Sequence, residues 1–134
     1  MAATGFFDTR FGERLFFAAY EAYKEWIEAR TADTLARWVP AGTVAIDVGA
    51  NIGFFTVRFA RWVGRSGRVI AVEPEARNIR QLRRRIGNDK LGAHVEVVEG
   101  VAAESPGTLR LKLNPHHPAD HKIGASGVTV RAWT

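Results

Sequence analysis

The residues of this sequence best suited to bind a small ligand are the segment DVGANIG at positions 47–53 and Glu73, which lies 26 positions after Asp47. Gly49 and Gly53 permit a sharp backbone turn and a close approach to a ligand, where a Cβ atom would collide. The helix predicted to begin near Gly53 directs its free N–H groups and the positive end of its dipole at the same place. A carboxylate or phosphate group would be bound well there.

The order of residue types in this segment indicates which nucleoside would bind. Glu73 ends the next predicted strand, where its carboxylate can accept hydrogen bonds from two ribose hydroxyls. The dinucleotide fingerprint is G-x-G-x-x-G, whereas Asp47 here occupies the first position and would repel a pyrophosphate. Asp47 would instead attract a cation such as the ammonium group of S-adenosylmethionine. The alternative is that Asp47 and Asn51 only cap the turn, and Glu73 at its matching place favours the nucleoside site.

Alternating strands and helices must position these residues. Continuous apolar runs at 43–48 and 68–73 predict two strands of a parallel sheet, the first of them buried on both faces. Residues 94–99 place Glu96 among valines, which predicts a third, less buried strand near the sheet edge. The strand order is then 3-2-1, with the third strand outermost.

Two helices are predicted between these strands. The first covers Phe54–Val63 and ends at Gly64, and the second begins at Pro74 and ends at residues 87–88. The buried face of the second helix is predicted to consist of Ile79, Leu82 and Ile86. Two more short strands, 108–113 and 128–132, are joined by a loop over 114–127 that is rich in Pro, His, Gly and Ser.

A helical segment, residues 1–42, precedes the ligand-binding half of a domain at 43–134. From Phe11 onward, aromatic and apolar residues recur at helical spacing: Phe16, Tyr20, Tyr23 and Ile27. Such a stripe is typical of packing. The residues Thr31, Asp33 and Thr34 offer N-cap chemistry for a second short helix through Trp38. With 134 residues, we expect a single domain overall.

The composition excludes several classes of protein. The absence of cysteine excludes a disulfide scaffold, a thiolate zinc site, an iron–sulfur cluster and a cysteine nucleophile, and it fits a reducing compartment. No apolar run approaches the ~18 residues that a membrane span needs, and the N-terminus lacks the order of a signal peptide. The sequence therefore predicts a soluble, cytoplasmic protein.

The sequences DVGANIGFFT at 47–56 and VIAVEP at 69–74 resemble the start of the FkbM family of S-adenosylmethionine-dependent methyltransferases. The similarity continues at 101–102 and 107–109 and covers roughly Val44 to Thr134, although Gly100 stands where the family usually has Asn. The resemblance implies an α/β, Rossmann-like class I methyltransferase fold, with a mostly parallel sheet and flanking helices. It also implies that the C-terminal strands of the family are missing, so we expect a truncated chain or fragment.

The resemblance further implies S-adenosyl-L-methionine as cofactor and O-methylation of a small-molecule or sugar hydroxyl. By position, Glu73 and Pro74 would hold the ribose, and Val101 and Ala102 would face the adenine. The methionine part would be held by Asp47, Gly49, Ala50, Asn51 and Gly53. No residue is assigned as the catalytic base. A cofactor-binding but catalytically inactive module is therefore an alternative to an active methyltransferase.

Two other functions are weighed against this one. Six cations and two acids between Glu75 and Lys90 carry most of the net charge of +5, which suggests an RNA/DNA-binding or RNA-methylating domain. That reading is disfavoured because Ile79, Leu82 and Ile86 turn the arginines towards water. A nicotinamide-dependent oxidoreductase is disfavoured by Asp47 and by Asn51.

Two further features concern metals and partners. The loop at 114–121 holds three histidines and Asp120, but Pro115 and Pro118 keep it extended, and no metal site is predicted.

Because the later strands of the family would cover the first strand, an unpaired sheet edge is expected beside it. We therefore expect the chain to self-associate, because an unpaired edge can pair with a strand of another chain.

Overall fold

The computed structural model describes residues 10–23, 32–114 and 121–134, and contacts divide the chain into two compact units, residues 1–37 and 38–134. Helix α1 is Arg10–Tyr23, and within it the Phe16 and Tyr20 rings stack with centroids 6.2 Å apart. The predicted amphipathic helix is therefore present, with its aromatic pair in contact. Two residues of the sequence argument, Ile27 and Thr31, lie outside the described residues.

The second predicted helix is a short 3₁₀ helix, Thr34–Trp38, that carries no buried residue. Trp38 is 72% exposed. Pro40 follows two positions after Trp38 and prevents the helix from continuing. The segment is therefore a connector in the structure and adds little to the core.

The first sheet is parallel and consists of β1 (Val44–Val48), β2 (Arg68–Glu73) and β3 (Val95–Glu99) in the order β1-β2-β3. In register, Asp47 faces Ala71 and Glu73 faces Glu99. The strand order and the outer position of β3 confirm the predictions. Parallel register brings the carboxyl ends of all three strands to one edge of the sheet.

Helices α2 (Phe54–Val63) and α3 (Ala76–Asn88) pack on one face of this sheet. Two clusters of buried side chains form the core there: Ala45, Ala60, Val63 and Val69 in the first, and Ala50, Ala71, Leu82 and Ile86 in the second. The bounds of α2 are those predicted. Helix α3 begins later than predicted, because Glu75 is its N-cap and Pro74 lies outside the helix.

The prediction that β1 is buried on both faces is wrong. Val44, Ile46 and Val48 point away from the two helices and are 62%, 61% and 62% exposed. The physical reason is the arrangement of the helices: α2 and α3 both cover the face that carries Ala45 and Ala71. Within the described part of residues 38–134, no helix packs on the other face.

The second sheet is mixed and has the order β4-β7-β5-β6. Its strands are β4 (Val101–Ala102), β5 (Gly107–Lys112), β6 (Lys122–Ile123) and β7 (Val128–Trp133). Strands β5 and β7, both predicted, pair antiparallel, whereas β4 pairs parallel to β7. The two-residue strands β4 and β6 were not predicted, since only their pairing defines them. None of the helices among the described residues has the length and apolar character that crossing a membrane requires.

Candidate functional site

The turn between β1 and α2 has an unusual backbone. Gly49, Asn51 and Gly53 all adopt positive φ, at 79°, 51° and 92°. The N–H groups of Gly49 and Ala50 both donate to the Val72 carbonyl, at 2.9 and 3.0 Å, so the turn is attached to the end of β2. Glycine avoids the strain of positive φ at two of these positions, and asparagine tolerates it at the third.

The Glu73 carboxylate lies at the end of β2 and is bound by this turn. Its Oε2 accepts from the backbone N–H of Asn51 at 2.8 Å, and the residue is only 4% exposed. Its Oε1 accepts from the backbone N–H of Glu75 at 3.0 Å and from Asn78 Nδ2 at 3.1 Å. These three donors hold the carboxylate in one orientation, which suits a group that binds a ligand by hydrogen bonds.

Asn78 is a site residue that the sequence analysis did not identify. It is 2% exposed in the first turn of α3, where its own N–H donates to Glu75 Oε2 at 2.8 Å. The sequence does contain a signal for this residue. Asn78 lies at helical spacing from Leu82 and Ile86, on the same buried stripe. A polar residue on such a stripe needs a hydrogen-bonding partner, and here that partner is Glu73.

A cavity of about 330 Å³ opens at the carboxyl ends of the three parallel strands. Its volume lies at the lower end of the range for small-molecule sites. Its polar lining consists of Asn51, Glu73, Asn78 and His121. Its apolar lining includes Val48, Val72, Pro74, Val101, Ala102, Leu111 and Ile123. The second sheet therefore closes the cavity against the first.

Six of the nine residues proposed for cofactor binding line this cavity: Gly49, Asn51, Glu73, Pro74, Val101 and Ala102. The other three lie behind the turn. Ala50 packs in the core with Leu82, and a Cβ at Gly53 would come within 2.6 Å of Leu82 Cδ1. Gly53 is therefore required for the contact between α2 and α3, whereas a Cβ at Gly49 would meet no atom within 4 Å.

Asp47 is the third predicted cofactor-binding residue that does not line the cavity, and it faces α2. Its Oδ2 accepts from the Thr56 hydroxyl at 2.5 Å, and the residue is 8% exposed. Burial raises the pKa of the Asp47 carboxyl above its ordinary value of 3.8, although hydrogen bonds from the Thr56 hydroxyl and backbone N–H act to lower it. The carboxyl therefore joins the end of β1 to the first turn of α2.

His121 lines the cavity from the side of the second sheet. Its Nδ1 accepts from the Asn114 N–H at 3.1 Å, which leaves the proton of the neutral ring on Nε2. That Nε2 is buried without a hydrogen-bonding partner among the described residues. The rest of the predicted histidine loop, His116, His117 and Asp120, lies outside the described residues.

The arginine-rich helix α3 presents its cations to solvent. Asn78, Ile79, Leu82 and Ile86 are its buried residues, whereas Arg80 and Arg84 are exposed. Arg83 pairs with Glu99 at 2.7 Å, with both side chains more than half exposed. The predicted placement of the arginines on the water side is confirmed, and such exposed pairs contribute little to stability.

Three solved structures of methyltransferases align with part of this chain. A candidate rRNA methylase from Clostridium thermocellum aligns with 55% of this chain and 39% of its own, at 20% identity and a TM-score of 0.52. A methyltransferase from Geobacter sulfurreducens aligns over 75% and 59%, at 22% identity and a TM-score of 0.49. A SAM-dependent methyltransferase from Aquifex aeolicus aligns over 51% and 37%, at 24% identity and a TM-score of 0.45. The chain spans less than two thirds of the length of each.

The Clostridium similarity and the parallel sheet with its flanking helices establish the Rossmann-like class I methyltransferase fold. No curated protein matches the sequence significantly. The profile of the methyltransferase FkbM domain matches residues 47–132, which make up more than half of the chain. The matched segment contains every residue that lines the cavity. The predicted resemblance is confirmed, and this chain belongs to the FkbM methyltransferase domain family.

Proposed function

We propose that this protein is an S-adenosylmethionine-dependent methyltransferase that binds its cofactor in the cavity at the carboxyl ends of β1, β2 and β3. The observation that carries the proposal is the Glu73 carboxylate, which lines the cavity in a single, hydrogen-bonded orientation. A carboxylate at the end of the second strand is suited to accept hydrogen bonds from a ribose.

The residues around the cavity fit such a cofactor. Gly49 leaves open space where a Cβ would stand, so a ligand can approach the backbone of the turn. Val101 and Ala102 offer an apolar surface for the adenine, next to Pro74 and Glu73 for the ribose. Asn51 and Gly49 contact the methionine part, and Asp47, Ala50 and Gly53 support the turn from behind.

The proposed reaction is O-methylation of a hydroxyl on a small molecule or sugar. S-adenosylmethionine supplies, when bound, an activated methyl group on a sulfonium sulfur. The contribution of the chain is to orient the cofactor so that a hydroxyl can approach in line, since positioning lowers the barrier by removing the entropic cost of bringing the reactants together. The hydroxyl proton also has to be accepted by a base.

Calorimetric titration with S-adenosylhomocysteine tests cofactor binding, with NAD as the competing ligand. We expect only the first to bind, and Glu73→Gln to weaken its affinity about tenfold or more, equivalent to ~1.4 kcal/mol. The matched control is Glu99→Gln, because Glu99 is the register partner of Glu73 at the end of β3 but is exposed. Its affinity should stay within about twofold of the unmodified chain. Preferential binding of NAD, or no binding by a folded protein, would refute the proposal.

Turnover separates an active methyltransferase from an inactive cofactor-binding module. The chain is incubated with S-adenosylmethionine labelled in the methyl group and with pools of sugar, small-molecule and RNA hydroxyls. Label in a sugar or small molecule supports the proposed reaction, and label in RNA contradicts the proposed acceptor. Cofactor affinity without transfer to any pool supports the inactive module.

We also propose that the chain self-associates through β1. This strand lies at the end of the described sheet, and its outward side chains Val44, Ile46 and Val48 are apolar and largely exposed. Sedimentation velocity should show association that increases with concentration. Val44→Lys should abolish it, and Val128→Lys, an equally apolar exposed position on β7, should not. A monomeric chain at all concentrations would contradict this proposal.

A further inference from the structure

His121 gives the cavity a hydrogen-bond donor that no described residue uses. Its Nδ1 accepts from the backbone N–H of Asn114 at 3.1 Å, so the proton of the neutral ring lies on Nε2. This Nε2 is buried and meets no hydrogen-bonding partner in the described part of the chain. A buried N–H without a partner is costly, so we expect a ligand in the cavity to supply an acceptor atom.

The side chains around His121 indicate which kind of acceptor fits. Leu111 on β5 and Ile123 on β6 are register partners, His121 lies two positions before Ile123, and all three line the cavity. An ammonium group has no lone pair to offer the Nε2–H, and a carboxylate would lose its hydration against this apolar wall. A flat heteroaromatic ring with an unprotonated nitrogen suits both the wall and the donor.

We infer, on the basis of the cofactor site proposed above, that the His121 Nε2–H donates a hydrogen bond to an unprotonated ring nitrogen of the adenine. In that site Asn51 and Glu73 serve the methionine part and the ribose from the parallel sheet. The base is then left to the apolar side of the cavity, with Val101 and Ala102. His121 is therefore a residue that determines specificity for a base with an acceptor at this position.

Calorimetric titration of the unmodified chain with S-adenosylhomocysteine and its 1-deaza, 3-deaza and 7-deaza analogues tests this bond. Each analogue replaces one ring nitrogen by C–H, and the analogue that lacks the acceptor leaves the His121 N–H buried and unpaired. We expect that analogue to bind about tenfold more weakly than the parent. Equal affinity of all four ligands would overturn the inference.

Two variants assign the effect to His121. His121→Phe keeps an aromatic ring of similar size without the donor, so it should weaken binding of the parent about tenfold. It should change binding of the sensitive deaza analogue by less than about twofold, because that analogue already lacks the acceptor. His121→Gln keeps an N–H donor near the position of Nε2 and should bind the parent within about threefold of the unmodified chain.

An equal loss in both variants, or an equal loss for the parent and every analogue in His121→Phe, would refute the hydrogen bond. The matched control is His94→Phe. His94 precedes β3 at the amino ends of the parallel strands, where its Nε2 lies 3.1 Å from the Ala60 carbonyl oxygen. This variant should leave the affinities of all four ligands unchanged.

A ligand without the amino-acid part separates the adenine from the methionine carboxylate as the acceptor. His121→Phe should weaken binding of 5′-methylthioadenosine by the same factor as binding of S-adenosylhomocysteine. If the variant weakens only S-adenosylhomocysteine, the bond goes to the carboxylate, and the assignment to the base is wrong.

These outcomes can be told apart from failure of the proposed function. If S-adenosylhomocysteine does not bind to the folded chain, the cofactor site is refuted, and the role of His121 falls with it. If it binds equally well to the unmodified chain and to His121→Phe, the cofactor site stands and only the role of His121 is wrong. The comparison of the deaza analogues on the unmodified chain does not depend on whether any variant folds.

Discussion

The parallel half of the molecule, residues 44–99, and the second sheet, residues 101–133, contribute different chemistry to the same cavity. The first half supplies the polar groups of Asn51, Glu73 and Asn78, and hydrogen bonds set the orientation of the Glu73 carboxylate and the Asn78 amide. The second supplies mainly apolar walls: Val101, Ala102, Leu111 and Ile123. The hydrogen-bonding groups of the cavity therefore lie mainly on the more deeply buried region, and most of its apolar wall lies on the less buried one.

The two regions also differ in packing. In the first, Val63, Val69, Ala71 and Leu82 are completely buried between the sheet and its helices. In the second, the buried apolar residues are Leu111, Val130 and Ala132, at 3–8% exposure. Most of the apolar area removed from water therefore belongs to the parallel half, which we expect to dominate the free energy of unfolding.

Truncating one leucine in each region should give the largest contrast in stability. Leu82→Ala removes a fully buried side chain beneath α3 and should lower the free energy of unfolding by ~4 kcal/mol. Leu111 lines an existing cavity, so Leu111→Ala creates less new void. We expect it to lower the free energy of unfolding by ~2 kcal/mol. Urea unfolding of both variants measures the difference. Equal losses, or a larger loss for Leu111→Ala, would contradict the contrast between the regions.

The connection between the two regions should be nearly as sensitive. Gly100 has a φ of 147°, and a Cβ there would lie 2.4 Å from the Arg131 carbonyl oxygen and 2.7 Å from Trp133 Nε1. Gly100→Ala should therefore cost ~3 kcal/mol through strain and displacement of the Trp133 ring. Gly87→Ala is the control, because its Cβ would meet no neighbour within 4 Å and should stabilise α3 by ~0.5 kcal/mol. Chemical denaturation distinguishes them, and similar values for both would refute the close contact.

The smallest effect is expected at Asp47 and depends on pH. Because burial raises its folded-state pKa, the folded chain holds this proton more tightly than the unfolded chain. The free energy of unfolding that Asp47 contributes therefore rises as the pH falls through the folded-state pKa. Asp47→Asn lacks this gain, so its stability relative to the unmodified chain should be greatest near neutral pH and should decline towards pH 4.

Thermal unfolding at several pH values measures this difference. Asp89→Asn, at the surface end of α3, corrects for the loss of one acidic charge from a chain with net charge +5. A difference between Asp47→Asn and the unmodified chain that is constant from pH 8 to pH 4 would contradict a raised folded-state pKa for Asp47.

The elements of the parallel half could be predicted because their patterns are local. Apolar runs, the glycines of the 47–53 turn and the stop at Gly64 depend on neighbours within a few positions, and the structure confirms the strands and α2. Strands β4 and β6 have only two residues each, so no periodicity could reveal them. The predicted start of α3 at Pro74 was too early. The Glu75 side chain accepts a hydrogen bond from the Asn78 N–H, so Glu75 is the N-cap and the helix begins after it.

The sequence by itself determined the order of strands and helices, the sharp turn after β1 and the position of Glu73 at the end of β2, because these follow from backbone sterics and short-range periodicity. Only the tertiary structure decided that Asp47 bonds to Thr56, that Asn78 holds Glu73, and that one face of β1 is exposed. It also brought Leu111, His121 and Ile123 to the cavity. These outcomes depend on which distant side chains share a face or an edge, and that is settled by packing between elements.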